Sequence, residues 1–442
     1  METLKRTKIA YIAFFISFVS VIILHLIIKP TSRNSRDESK EVIIHYIDNI
    51  TSAQSKLIEL FNEEYKGKIK VELINLPLQK FSSHERKQLL TKYLRNRSDQ
   101  IDLFSVDQVW ISRFKNWAQP IDKYITSAEK DQIEQNALNS CIYNDSLVAL
   151  PLFIDIGVMY VNEEILRKHP DFENIKKELY NSITWERFIE IGQSEVFSNQ
   201  PFYIFPADNY EGLMCSFTEL ISNSNNLFSD NNSLLSHDIV EAAHFLVNLV
   251  QKHKISPESV TQLQENNFGS YFFENRAVFL RGWPNSFSSF YYINKELRNK
   301  NGLLCVPLPH FKNQEKRFIR GGWNLMISKY SKKKKESIEF LKFWLREDVQ
   351  SFMYENNSFL PSLKIFYESD SLIAKYERIG FFKNLLEYSV FRQKNRNYTS
   401  LSDILTRYLK QAIKNEISVE LALKNAQDEI NSLGLMPNNA SY

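Results

Sequence analysis

The side chains of this 442-residue chain best placed for chemistry are carboxylates and indole rings. Asp107 closes the apolar run Ile101 to Val106, and Asp155 sits among Phe153, Ile154 and Ile156. A carboxylate in apolar surroundings is costly unless something pairs with it, so Asp155 needs a partner from the protein or from a ligand. Asp107 has two readings, as the cap of a helix starting at Val109 or as an acceptor for a bound molecule. Tyr210 and Glu211 stand where a helix begins, a place where the dipole favours a carboxylate, and ligand contact is the alternative. Trp283 lies between Gly282 and Pro284, and Trp323 follows Gly321 and Gly322. Such settings expose an aromatic ring beside a turn, with core packing as the other reading. Carboxylates accept hydrogen bonds from hydroxyls while flat rings cover apolar faces. Two carboxyls about 5 to 10 Å apart also suit acid–base cleavage of a glycosidic bond. No Walker loop, GxGxxG fingerprint, HExxH pair or GxSxG elbow is present. His84-Glu85 starts like a zinc helix, but Gln88 occupies the place of the second histidine, so these residues read as helix surface. The expectation is a chain with no metal, no cofactor and no catalytic residues of its own.

The elements that must carry these side chains follow from hydrophobic spacing. Val42 to Ile47 is a β-branched run, and Ala53, Leu57, Leu60, Phe61 and Tyr65 recur at helical spacing before Gly67. Ile69, Val71 and Leu73 alternate as a strand, Ser82 or Ser83 can cap a helix bearing Leu89, Leu90 and Tyr93, and Ile101 to Val106 is a further strand. This β-α-β-α-β order predicts a mostly parallel sheet with helices on both faces, whose ligands lie beyond the carboxyl ends of its strands. Asp107 is at one such end. After Pro151 a long apolar run, Leu152 to Val161, leads into helix-rich sequence with helices over 184–193, 211–222 and 236–252. Strands return at 277–280, 303–306 and 323–327, followed by helices near 333–346, 401–415 and 418–432. Lys332 to Lys335, between a strand and a helix, reads as a solvated turn.

With 43 % hydrophobic residues, the chain can bury two cores. Of 55 basic and 52 acidic side chains, seven and three fall within residues 1–40, which leaves the body nearly neutral. Nucleic acid is therefore excluded as the main partner, because phosphate binding needs a concentrated basic face. Three cysteines, Cys141, Cys215 and Cys305, make no CxxC pair and leave the redox compartment open. From Ile9 to Ile28 the chain is apolar except for Ser17, Ser20 and His25, close to the ~20 residues of a membrane-spanning helix. No alanine falls between Phe14 and Lys40 to mark a cleavage site, and no cysteine follows the apolar run to carry a lipid. Residues 1–29 are thus expected to be an uncleaved transmembrane anchor, and the polar stretch 30–40 a tether.

Several segments, in this order, resemble the family 1 extracellular solute-binding proteins of ABC transporters, and within them the maltose and trehalose binders. They are IDLFSVDQVWISRFKNWAQPIDKYI (101–125), SLVALPLFIDIGVMYVNEEIL (146–166), ITWERF (183–188), NYEGLMCSFTEL (209–220), AVFLRGWPNSF (277–287), GGWNLMISKYSKKKKESIEFLKFW (321–344) and LPSLKIFY (360–367). The resemblance spans nearly the whole body. It implies an α/β fold of the type II periplasmic-binding-protein kind, with two lobes joined by crossing strands that close on a sugar. One lobe would comprise residues 41–153 with 322–361, the other 157–318 with 362–442. Asp107, Asp155, Tyr210, Glu211, Trp283 and Trp323 then become candidate sugar contacts. Arg392, in FRQKNRNY, looks like the family's arginine ahead of a tyrosine, here Tyr398, although Gln393 replaces the usual proline. The loop Ile47 to Thr51 also departs from the family in lacking a small glycine-rich turn.

The resemblance implies a monomer that captures a di- or oligosaccharide and hands it to the permease subunits of an ABC importer. Its body would face the periplasm or the exterior, tethered by the N-terminal helix. Two other functions compete: a membrane-anchored sugar sensor subunit, and a carbohydrate-active hydrolase.

Overall fold

In the computed structural model, residues 41–77, 83–97, 99–221, 227–228, 233–286, 302–393 and 395–435 are described. The expected anchor and tether, residues 1–40, lie outside them. Among the described residues no helix is long and apolar enough to cross a membrane.

Strand β1 (Val42–Asp48) buries Ile44, Tyr46 and Ile47. Thr51 and Gln54 form a reciprocal cap that starts helix α1 (Ser52–Glu64), which packs Ala53, Leu57, Ile58 and Phe61 inward. The chain turns at Gly67, whose φ of +76° suits glycine, into β2 (Ile69–Asn75). Helix α2 (Ser83–Arg95) and β3 (Leu103–Asp107) complete the expected β-α-β-α-β unit. Both β2 and β3 run parallel to β1, with Ile69 opposite Val42 and Leu103 opposite Tyr46.

The long apolar run after Pro151 is two strands, not one. β4 (Leu150–Ile156) joins the first sheet, whereas β5 (Val158–Asn162) joins the second. Gly157 divides them. A β-carbon at Gly157 would lie 2.3 Å from Glu219 Oε1 and 3.2 Å from Arg281 Nη2, so the crossing point has no room for a side chain. The second sheet contains β6 (Tyr203–Ile204), β7 (Phe279–Gly282) and β8 (Leu303–Val306) in the order β8-β5-β7-β6. Helices α3 (Glu211–Thr218) and α4 (His237–Gln251) pack on each other.

The expected strand 323–327 is the second half of the ten-residue β9 (Phe318–Ile327). Glycines were expected to open a turn there, yet Gly321 and Gly322 lie inside the strand. Gly322 has φ +149° and a β-carbon on it would meet the Phe153 carbonyl at 2.8 Å. Glycine thus permits a close backbone approach and a register shift between Trp323 and Asn324, as glycine in strands often does. β9 pairs antiparallel with β3 and with β4, and its first residues pair parallel with β10 (Ser389–Phe391), so the first sheet reads β10-β9-β3-β1-β2 with β4 beside β9. Helix α5 (Lys334–Trp344) covers this sheet, and α6 (Tyr398–Ile413) packs on α7 (Val419–Ser432). The basic run expected as a turn has its last two lysines inside α5, and before the helix Lys332 pairs with Asp99 at the surface while Lys333 reaches the buried Asp102 at 3.2 Å.

Candidate ligand-binding cleft

The carboxyl ends of β1 and β3, the crossing strands β4 and β9, the start of α3 and the end of β7 converge on a cleft of about 200 Å³. Pairing register explains the convergence. Trp323 on β9 stands opposite Asp107 on one side and Phe153 on the other, and Gly321 stands opposite Asp155. Because Gly321 has no side chain, Asp155 and Trp283 come together over it. A β-carbon there would sit 3.2 Å from Asp155 Cβ and 3.3 Å from the Trp283 ring.

Arg392 is the hub of the polar wall. Its guanidinium donates to Asp107 Oδ1 at 2.9 Å and Oδ2 at 3.2 Å, and to Glu211 Oε1 at 2.9 Å. It is 5 % exposed, so these charge-assisted bonds are sheltered from water. Glu211 also accepts from Tyr398 Oη at 2.5 Å and from Ser402 Oγ at 2.9 Å. Burial pushes the Glu211 carboxyl up, and the adjacent Arg392 opposes that. Asp107 additionally accepts from the Val109 N–H at 3.1 Å, so its two readings hold together: it caps a helical turn and it lines the cleft.

Asp155 differs. It is 7 % exposed, lines the cleft, and its Oδ1 has no hydrogen-bond partner among the described residues. Burial drives its carboxyl well above the usual carboxylate range, Arg281 opposes, and Asp107 adds to the rise. An acceptor buried without a partner, on a residue of the cleft wall, carries a desolvation cost that a donor would relieve.

Both tryptophans are half-buried on the cleft wall. The Arg281 guanidinium lies 4.0 Å from the Trp283 ring, and Arg86 lies 4.7 Å from the Trp323 ring, whose edge is met by Trp110. Arg281 is in turn held by Glu219 at 2.7 Å. Tyr210 is not on the cleft wall. It is buried, with its ring against Gly212 and its hydroxyl interacting with Glu265 of the wall. Thus Asp107, Asp155, Glu211, Trp283, Trp323 and Arg392 are brought together, and Tyr210 stands behind them.

Residues that sequence reasoning missed include Asp48, Arg86 and Glu265. Asp48 ends β1 as Asp107 ends β3, so the strand-end rule could have found it. It accepts from Tyr46 Oη at 2.7 Å and lies 3.9 Å from Arg86. Arg86 is buried although its neighbours Glu85 and Gln88 are exposed, and Glu265 lies in a polar turn without periodicity. Neither carries a local signal. Gln393, where a proline was expected, accepts from the Phe228 N–H at 2.6 Å. Cys141, Cys215 and Cys305 form no disulfide among the described residues, and Cys215 lines the cleft. No group of three or more His, Cys, Asp or Glu among the described residues could hold a metal ion.

A curated relative, the probable ABC transporter-binding protein of Deinococcus radiodurans, is 22 % identical over 371 residues, 81 % of this chain and 86 % of its own. The maltose-bound MalE3 structure of T. maritima is 26 % identical with a TM-score of 0.76, covering 89 % of this chain and 100 % of that one. The GacH receptor of Streptomyces glaucescens, solved unliganded and with acarbose, superposes with a TM-score of 0.74 at 20 % identity over 89 % of this chain and 98 % of its own. The family model of the bacterial extracellular solute-binding proteins matches residues 48–351, and this chain belongs to that family.

Proposed function

We propose that the chain captures a sugar, of di- or oligosaccharide size, in this cleft and delivers it unchanged to an ABC importer. The observation that carries the reading is the unpartnered buried carboxylate oxygen of Asp155, a residue of the cleft wall beside two half-buried tryptophans. A pyranose supplies what both lack, hydroxyl donors for the carboxylate and apolar C–H faces for the rings. The maltose bound to the T. maritima relative supports the same class. Lobes made of 41–153 with 322–361 and of 157–318 with 362–442 would close over the ligand as a monomer, moving about the crossing at Gly157. Residues 1–29 would hold the protein in the cell membrane with its body outside the cytoplasm, and 30–40 would serve as tether. A salt-washed membrane fraction that lacks the protein, or a mature N-terminus beyond Pro30, would remove the anchor from this reading.

The decisive measurement is a thermal-shift screen of the full-length chain in detergent against mono-, di- and trisaccharides. A ligand at a hundredfold its Kd adds about 2.7 kcal/mol to stability. The expected result is a rise in Tm with at least one sugar and no product on chromatography after long incubation. No rise with any sugar would overturn the proposal.

A further inference from the structure

Charge in the cleft is unbalanced. Its described ionisable wall holds five carboxylates, Asp48, Asp107, Asp155, Glu211 and Glu265, against two cations, Arg86 and Arg392. Both arginines are already engaged. Arg392 serves Asp107 and Glu211 together, and Arg86 faces Asp48. Arg281, beneath Trp283, is paired with Glu219. Asp155 and Glu265 are therefore left without an ion-pair partner among the described residues, and Asp155 Oδ1 also lacks a hydrogen bond. Burial pushes both carboxyls up, and the charge of Glu265, on the same cleft wall, adds to the rise at Asp155.

A neutral hydroxyl would satisfy the unpartnered oxygen but would not hold the carboxyl ionised against the burial that pushes it up. A cation would do both. A metal ion does not fit, because no sufficient ligand cluster is present among the described residues. An ammonium on a sugar ring fits: it is a hydrogen-bond donor and a charge, carried on a body whose apolar faces the tryptophans can cover.

We propose that the cleft selects an amino sugar, its protonated amine paired with Asp155 and drawn by the adjacent Glu265. This rests on the sugar-binding reading and narrows its ligand class. The test uses the full-length protein in detergent at about pH 6.5, below the usual range of such amines. Affinities are measured by calorimetry for sets that differ in one substituent, such as glucosamine, glucose and N-acetylglucosamine, and the corresponding β-linked di- and trisaccharides. The amine should bind roughly tenfold or more tighter than its hydroxyl and acetamido counterparts, as a charge-assisted contact implies. That ratio should collapse toward one in Asp155→Asn and fall in Glu265→Gln. The second variant decides the matter if the first does not fold. Equal or tighter binding of the neutral counterparts would overturn the amine assignment and leave sugar binding standing, whereas silence from every sugar in the panel would overturn both. An amine preference that survives both substitutions would refute the role of these two carboxylates.

Discussion

Removing one indole ring from the cleft separates ligand stacking from core packing. Trp283 and Trp323 are half-buried, and each has a guanidinium against its ring, Arg281 at 4.0 Å and Arg86 at 4.7 Å. Trp283 follows a strand of the second sheet and Trp323 belongs to a strand of the first. If the open parts of both rings cover sugar faces, truncation to alanine should cost about 1–3 kcal/mol of affinity, roughly five- to 150-fold in Kd. Folding should lose less, chiefly the ring–guanidinium contact of about 0.5–2 kcal/mol. Trp344 supplies the comparison. It is 2 % exposed and packed against Phe340 and Phe343. Its truncation should cost about 3–5 kcal/mol of folding stability and leave the affinity of the folded fraction unchanged. Tm by scanning fluorimetry and Kd by calorimetry for the three variants suffice. Were Trp283→Ala or Trp323→Ala to melt as low as Trp344→Ala yet bind sugar like the parent, the stacking argument would be wrong.

Asp155 gives a signed pH effect. Its folded-state carboxyl titrates above the unfolded value of about 3.9, so the native state holds the extra proton from there upward and stability falls as pH rises. Asp155→Asn removes that slope, and its Tm advantage over the parent should widen from about pH 4 upward; a flat or shrinking difference would contradict the burial argument. Arg392→Met leaves Asp107 and Glu211 facing each other without their shared cation and should lower stability by about 3–5 kcal/mol, read from a urea midpoint. A loss below about 1 kcal/mol would mean the clasp is dispensable to the fold. Gly157→Ala drives a methyl into the Glu219–Arg281 pair and should cost about 1–3 kcal/mol, while Gly67→Ala, with no atom within 4 Å of the new β-carbon, should cost about 1 kcal/mol from its positive φ alone. Equal melting of these two variants would show that the crossing has room to spare.

The β-α-β-α-β start was legible in the sequence because period-2 and period-3.6 spacing are local properties, set by which face each side chain must present to a core. Its strands lie within two residues of the expected bounds. Asp107 could be singled out for a related reason: a polar residue at the carboxyl end of a buried strand is marked by its neighbours. The apolar density of Leu152 to Val161 likewise announced buried strands, but not that Gly157 splits them between two sheets, since that depends on Glu219 and Arg281 arriving from elsewhere. Glycines inside β9 looked like a turn for the same reason. Only the approach of the β4 backbone explains them. Arg392 meets Asp107 across 285 positions and Glu211 across 181, and no spacing rule reaches so far. Nor could composition, nearly neutral over the body, disclose a cleft with five carboxylates and two arginines. Local sequence sets periodicity and therefore elements, whereas partners, burial and the charge of a site arise from packing between distant segments, which tertiary structure alone decides.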